Sequence, residues 1–328
     1  MRVATDPGPR AGTGRRWLRR SVQFVLTVGV TWLIVAQVGV TLDEALALDA
    51  ALPAVNPGLL LLSSLLLLAG FLAAAALWGR MARELGGPGL STGSAARIVF
   101  AANLGRYLPG KVWQMAGLAV LSRRAGMSAT VAATAGVLGQ TFLLAAAGVW
   151  GASLLLGLEE GRAGIVLALA LLALFVGVAA VPSALRRLLA LAFRAARIPP
   201  ERIPSLDPFF GIRWLALYVG LWTVYGAAFA LLVRGLGFGG GILELAPPFA
   251  AAYLLGYVAI FAPAGIGVRE GFLIAFLRPG LAGAAVGVAI LARVWMTVVE
   301  LFPAGALALI EVFRRPEPGG EGEVAGNG

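Results

Sequence analysis

Long apolar runs constrain the fold of this chain more than any other feature of its sequence. Residues 59–78 contain no charged side chain. A helix of about 20 apolar residues crosses the ~30 Å hydrocarbon core of a bilayer. Similar runs recur along the 328 residues, of which only 13% are charged, whereas soluble domains carry about 25%. The sequence therefore predicts an all-α polytopic membrane protein.

The positions of the arginines indicate the orientation. Six arginines lie within residues 1–20, and most of the others lie between apolar runs. Basic residues are enriched on the cytoplasmic side of membrane proteins. We therefore predict a multi-pass protein of the cytoplasmic membrane with both termini in the cytoplasm. The net charge of +10 follows from this bias, so we expect no nucleic-acid partner.

The apolar runs divide the chain into one membrane domain and two tails. We expect a basic cytoplasmic tail at 1–20, a transmembrane domain at 21–315 and a disordered tail at 316–328, which is rich in Gly and Glu. A basic stretch at 183–211 predicts an amphipathic helix on the membrane surface. The predicted full spans are 21–40, 59–78, 129–156, 164–181, 212–233 and 283–312.

Two further apolar segments, 92–121 and 247–277, are each interrupted near the middle by Pro and Gly. Arg123 and Arg124 directly follow the first segment, and a full crossing would place them outside. A re-entrant hairpin, which enters and leaves on the same side, keeps them in the cytoplasm. We therefore predict six full spans plus two re-entrant broken helices. In the alternative topology the broken segments cross the membrane, which gives eight spans.

The two breaks occupy corresponding positions. Pro109 and Pro263 lie 154 positions apart. Gln140 and Arg293, which lie deep in the spans that follow the two breaks, are 153 apart. In the predicted topology the first break enters from the cytoplasm and the second from outside. This layout predicts an inverted-topology repeat, in which interrupted helices mark a binding site near the middle of the membrane.

The breaks carry residue types that suit an anion. A half-helix that begins after a break has unpaired N–H groups with partial positive charge, and glycines let a ligand approach the backbone. Lys111 and Arg269 stand at the two helix starts, so a phosphate would be stabilised there by both effects. Charges at membrane depth cost at least ~2.5–3.5 kcal/mol, which points to function. The candidate substrate-binding residues are Asn103, Arg106, Pro109, Gly110, Lys111, Gln114, Gln140, Gly265, Gly267, Arg269, Glu270, Arg293 and Glu300.

Arg293 and Glu300 are seven residues apart and therefore share one helix face. Two interpretations of this pair are open. The residues could form an ion pair that braces the bundle, or they could take part in transport.

Several kinds of chemistry are excluded by composition. The chain has no Cys and no His, so it cannot form a disulfide, a catalytic thiolate or a histidine metal site. It has no P-loop motif, which argues against ATP hydrolysis. We predict no catalytic residue, no metal and no cofactor.

A set of short motifs marks the two breaks. Asn103 precedes Leu-Pro-Gly-Lys at 108–111, a basic helix end with a small-residue turn lies at 123–128, and Pro-Ala-Gly-Ile-Gly-Val-Arg-Glu lies at 263–270. In these motifs and their order the chain resembles the transmembrane domain of bacterial lysylphosphatidylglycerol synthase and its stand-alone, flippase-like relatives. The resemblance covers about residues 17–315. It departs from the family at Gly139 and Gln140, where a Glu-Arg pair is frequent, and the synthase domain is missing.

The resemblance implies a flippase-like transporter, not an enzyme, that moves an anionic phospholipid or a polyprenyl-phosphate-linked lipid between leaflets. The expected partners are membrane lipids, with a second copy of the chain or neighbouring cell-envelope enzymes as further candidates. One alternative is a membrane glycosyltransferase with a lipid-linked donor, for which Asp43, Glu44 and Asp49 would supply the acids. The other is a non-transporting accessory subunit.

Overall fold

The computed structural model of the chain describes residues 54–107, 112–154, 181–195, 207–259, 265 and 267–313, with parts of 166–177. The predicted tails at 1–20 and 316–328, the predicted first span at 21–40 and the acidic loop that follows it lie outside the described residues. Within the described part the regular structure is entirely helical. The α-helices are α1 Pro57–Glu84, α2 Thr92–Asn103, α3 Val112–Arg123, α4 Ala129–Ala152, α5 Pro182–Ala195, α6 Phe210–Gly235, α7 Ile242–Val258, α8 Val268–Leu281 and α9 Ala284–Phe313.

Several helix starts follow from local sequence signals. Asn56 caps α1 by accepting a hydrogen bond from the Leu59 amide at 3.1 Å, and proline occupies the first position of this helix. Ser91 and Ser128 cap α2 and α4 in the same way. These polar caps stand directly before apolar runs, so they fix where each helix begins.

Four helices are long and apolar enough to cross a membrane: Pro57–Glu84, Ala129–Ala152, Phe210–Gly235 and Ala284–Pro303. They coincide with four of the predicted spans. The described residues within 166–177 are also helical, as expected for the predicted span at 164–181. The chain is therefore a helical, multi-pass membrane protein.

Helices α1 and α6 run antiparallel along their whole length. The Asn56 amide donates to the Gly235 carbonyl at 2.8 Å, which joins the start of α1 to the end of α6. At the opposite end, Glu84 accepts from Arg213 at 2.8 Å and from the Trp214 indole at 3.1 Å. The pair forms a frame from which the two interrupted segments depart at opposite ends.

Each interrupted segment forms a pair of packed helices. Helices α2 and α3 (the first hairpin) have 12 residues each and touch where a Cβ on Gly117 would lie 3.1 Å from the Ala102 Cα. A 3₁₀ turn, Leu104–Tyr107, follows α2. Helices α7 and α8 (the second hairpin) touch where a Cβ on Gly256 would lie 2.8 Å from the Arg269 Cβ. The observed helix ends match the predicted breaks on either side of residues 108–111 and 259–267.

The two halves of the chain interlock. Helix α4 packs on α7, where Gly151 contacts Ala251. Helix α9 packs on α1 and α2, and the Trp295 indole donates to the Ser64 hydroxyl at 3.1 Å. The helix after each hairpin thus contacts the first arm of the other hairpin.

Helix α5 is amphipathic. Its Leu185 and Leu189 side chains are buried against the bundle, whereas Arg186, Arg187 and Arg194 are exposed. The predicted basic stretch at 183–211 thus begins with a helix that ends at Ala195. Residues 196–206 lie outside the described part.

Candidate functional site

A cavity of about 120 Å³ is lined by residues of both hairpins and of the long helices α1, α4, α6 and α9. Phe71, Gln140 and Trp222 line it, and each is a central residue of its helix, α1, α4 or α6. Because these helices are long enough to cross a bilayer, the cavity lies level with the midpoints of three candidate spans. The cavity has room for a group the size of several water molecules.

Aromatic side chains form one large wall of the cavity. Tyr218, Trp222 and Tyr225 come from α6, and Phe249 and Tyr253 come from α7. The rings of Trp222 and Tyr253 meet edge to face, with 5.3 Å between centroids. These residues were not predicted as a group from the sequence. Their spacing was the available signal, because residues four and seven apart share a helix face.

Arg269 is the charged residue among the described residues that line the cavity. It is the second residue of α8 and only 8% exposed. Its guanidinium carbon lies 5.1 Å from the Phe249 ring centre and 5.3 Å from that of Tyr253, and Nη2 lies 2.8 Å from the Met296 sulfur. Cation–π contacts of this kind contribute up to about 2 kcal/mol when desolvated. The sequence prediction that Arg269 stands at a half-helix start is confirmed.

Glycines shape the start of α8. Gly265 and Gly267 have φ angles of 71° and 79°, a left-handed region that favours glycine. A Cβ on Gly265 would also lie 2.8 Å from the Gly256 carbonyl oxygen. The Gly267 amide donates to Glu270 Oε2 at 2.7 Å, so Glu270 stabilises the beginning of this helix. These predicted site residues therefore position Arg269.

Among the described residues of the first hairpin, two amide side chains line the cavity. Gln114 Nε2 donates to Asn103 Oδ1 at 2.7 Å, and Asn103 Nδ2 donates to Glu300 Oε1 at 3.0 Å. Asn103 and Gln114 line the cavity, and Glu300 is 6% exposed on α9. This chain of hydrogen bonds (the amide relay) joins the first hairpin to the last described helix.

Helix α9 also contacts the second hairpin. Arg293 Nε lies 3.6 Å from Glu270 Oε1, and both side chains are mostly buried. Arg293 and Glu300 share a face of α9, as the sequence predicted. Their contacts, however, lead to different hairpins, because Arg293 pairs with Glu270 and Glu300 accepts from Asn103.

Gln140 lies on the α4 wall of the cavity. Its Nε2 atom is buried and has no hydrogen-bond partner among the described residues. The preceding residue, Gly139, faces Tyr218, and a Cβ there would lie 2.8 Å from the tyrosine hydroxyl oxygen. The absence of a side chain at Gly139 thus leaves room for the Tyr218 ring next to Gln140.

The remaining predicted site residues fall between α2 and α3 in the sequence. Pro109, Gly110 and Lys111 are outside the described residues, as is the side chain of Arg106. Asn103 and Gln114, which precede and follow this segment in the sequence, both line the cavity.

The arrangement is suited to holding a polar ligand. Arg269 supplies positive charge, the amides supply donors and acceptors, and the aromatic rings exclude water. The described residues contain no group of three or more His, Cys, Asp or Glu side chains that could bind a metal. Comparisons with known proteins returned no match to any family model, to any curated protein or to any solved structure.

Proposed function

We propose that this chain is a flippase-like lipid transporter that moves an anionic phospholipid or a polyprenyl-phosphate-linked lipid between leaflets. The observation that supports it best is Arg269, a buried arginine in a cavity at the central depth of three spanning helices. Intramembrane ionisable residues are expensive and usually serve a substrate or ion pathway. The phosphate of a lipid headgroup is the ligand that such a site would favour.

Only the headgroup of such a lipid has to be stabilised within the hydrocarbon core. A phosphate that enters the hydrocarbon core loses its hydration, whereas the acyl or prenyl chains can stay among the membrane lipids. Arg269 and the N-terminal amides of α8 would replace part of that hydration with charge and dipoles. The amide relay would supply further polar contacts, and Lys111, which directly precedes α3 in the sequence, is expected to add a second positive charge.

The same proposal includes the finer topology. We place six full spans and two re-entrant hairpins in the membrane, as an inverted repeat with both termini in the cytoplasm. Helices α2 and α3 support it, because 12 residues extend only about 18 Å. The equivalent packing of α4 on α7 and of α9 on α2 supports the repeat. Rocking of one half against the other would then expose the cavity to each leaflet in turn.

The motifs at the two breaks support assignment to the stand-alone, flippase-like relatives of the lysylphosphatidylglycerol synthase transmembrane domain. This assignment makes the chain a transporter of a finished lipid and not an enzyme. Its cytoplasmic-membrane location follows from the same assignment.

The test is transport in liposomes that contain the purified full-length chain. A phosphatidylglycerol with a fluorescent acyl chain is distributed over both leaflets, and dithionite bleaches the outer leaflet, so transport increases the bleached fraction. We expect the double variant Lys111→Ala/Arg269→Ala to lose about 100-fold in rate or more, because charged hydrogen bonds to the phosphate are lost.

The matched control is Arg278→Ala, which removes an exposed arginine from the same helix as Arg269 and should leave the rate unchanged. Arg269→Lys should retain part of the activity, because it keeps the charge but not the planar guanidinium. Transport at the wild-type rate by the double variant, with normal gel-filtration behaviour, would contradict the proposed site.

A further inference from the structure

We propose that the cavity selects phosphodiester lipids whose headgroup carries an uncharged, hydroxyl-bearing group such as glycerol or a sugar, and that Gln140 selects that group. This inference rests on the proposed transport function and names the substrate class for the same cavity. It starts from the buried Gln140 Nε2, which has no hydrogen-bond partner among the described residues. An unsatisfied buried donor costs about 1–3 kcal/mol, so a bound acceptor would be stabilised there.

The position of Gln140 separates it from the charged wall. Arg269 lies against Phe249 and Tyr253 of the second hairpin, whereas Gln140 belongs to α4, beside Gly139 and the Tyr218 hydroxyl. Both side chains line one cavity. A phosphate at Arg269 would therefore leave the rest of its headgroup facing neutral polar groups.

Those neutral groups match a hydroxyl, which both donates and accepts hydrogen bonds. A side-chain amide has two N–H donors and a carbonyl acceptor. Gln114 uses one N–H in its bond to Asn103. Its second N–H and its carbonyl, together with Gln140 and Tyr218, form a mixed set of donors and acceptors beside aromatic walls. A polyol or sugar offers the complementary hydroxyls and apolar C–H faces.

An ammonium headgroup fits the described lining residues less well, because they include no carboxylate. The nearest acidic side chains are engaged elsewhere: Glu300 accepts from Asn103, and Glu270 caps α8 and faces Arg293. Arg269 already occupies the faces of Phe249 and Tyr253. An ammonium group in the cavity would therefore lose its hydration without gaining an opposite charge from the described lining residues.

The experiment compares lipids that differ only in the headgroup. Acyl-labelled phosphatidylglycerol, phosphatidic acid and phosphatidylethanolamine are each measured with the wild-type chain, Gln140→Leu, Gln140→Glu and the control Thr141→Val. Thr141 is adjacent to Gln140, but its hydroxyl donates to the Val137 carbonyl of its own helix. The quantity measured is the ratio of two transport rates within one preparation, which does not depend on the fraction of folded protein.

We expect the wild-type chain to move phosphatidylglycerol fastest. Gln140→Leu should lower the ratio of phosphatidylglycerol to phosphatidic acid about fivefold, the loss expected for a neutral hydrogen bond, and Thr141→Val should not change it. Gln140→Glu should lower both anionic rates and raise the phosphatidylethanolamine rate. If Gln140→Leu does not fold, Gln140→Met provides the same test with a flexible chain of similar size.

Two soluble competitors distinguish the sources of the hydroxylated phosphodiester. Dihexanoyl phosphatidylglycerol represents the phospholipids, and a short prenyl-phosphoryl-glucose represents the lipid-linked sugars. Inhibition by either one, weakened in Gln140→Leu, supports the inference, and the stronger inhibitor identifies the source. Equal wild-type rates for all three lipids, or an unchanged ratio in Gln140→Leu, would overturn it while transport itself stands. No transport of any lipid above protein-free liposomes would instead overturn the proposed function.

Discussion

The two hairpins meet at the same cavity but bring different chemistry to it. The first hairpin presents amides, Asn103 and Gln114, whereas the second presents the guanidinium of Arg269. Helix α9 contacts both hairpins. Its Glu300 side chain accepts a hydrogen bond from Asn103 of the first hairpin, and its Arg293 side chain faces Glu270 of the second. Among the described residues, the second hairpin therefore supplies the positive charge, and the first supplies directional hydrogen bonds.

The attachments to α9 differ in geometry as well. The amide relay consists of two hydrogen bonds of 2.7 and 3.0 Å, which are directional and short. The contact between Arg293 and Glu270 is a 3.6 Å ion pair, which depends less on orientation. We therefore expect the first attachment to respond to changes of shape and the second to changes of charge.

The largest effect on stability is expected from substitutions that disrupt the close contacts within each hairpin. A Cβ on Gly105 would lie 2.8 Å from the Trp113 carbonyl carbon, and one on Gly256 would lie 2.8 Å from the Arg269 Cβ. Gly105→Ala and Gly256→Ala should each lower the free energy of unfolding by about 1–3 kcal/mol, because rigid atoms must move apart. The measurement is unfolding in mixed micelles with increasing SDS.

The glycine controls are Gly93→Ala in the first hairpin and Gly271→Ala in the second, where a Cβ meets nothing within 4 Å. Both should be neutral or stabilising by up to about 1 kcal/mol, as expected for helical alanine. A similar loss of stability in the controls would show that the close helix contacts do not explain the effect.

A smaller effect is expected from the amide relay. Asn103→Leu removes the donor to Glu300 and the acceptor of Gln114, and should destabilise the protein by about 1–2 kcal/mol because buried polar groups lose partners. Glu300→Gln keeps an oxygen that can accept from Asn103, so it should cost less. The same SDS unfolding series measures both, and an equal loss for the two variants would contradict the importance of the Asn103 hydrogen bonds.

The smallest effect on stability is expected at Glu270, which both caps α8 and faces Arg293. Glu270→Gln keeps an oxygen that can accept from the Gly267 amide but removes the charge facing Arg293, and should cost about 1 kcal/mol. Glu270→Ala removes both interactions and should cost more. The difference between the two variants measures the capping contribution, and a Gln variant as unstable as the Ala variant would show that the charge accounts for the whole effect.

The spanning helices could be predicted from hydropathy, because a helix that crosses the bilayer needs about 20 consecutive apolar residues. The predicted spans at 129–156 and 212–233 match α4 and α6 to within a few residues. The prediction for α1 stopped at Trp78, whereas the helix continues to Glu84. Charged residues end an apolar run without ending the helix, so hydropathy underestimates helices that extend beyond the hydrocarbon core.

The candidate site was only partly predictable. Arg269, Gln140 and Asn103 could be identified because polar residues in apolar segments are energetically costly and usually have a function. The aromatic wall was missed, because Tyr218 and Trp222 look like ordinary packing residues until the fold places them opposite Arg269. The partner of Arg293 was also inaccessible, since sequence spacing relates residues of one helix and Glu270 belongs to another.

The amide relay has a consequence for how the protein is made. Asn103 and Glu300 are 197 residues apart, so the first hairpin leaves the ribosome long before its hydrogen-bond partner is synthesised. During that interval its amides lie in the insertion machinery or the bilayer without Glu300, where unpaired polar groups are costly. The first hairpin is therefore inserted before one of its hydrogen-bond partners exists, and the synthesis of α9 completes its polar contacts.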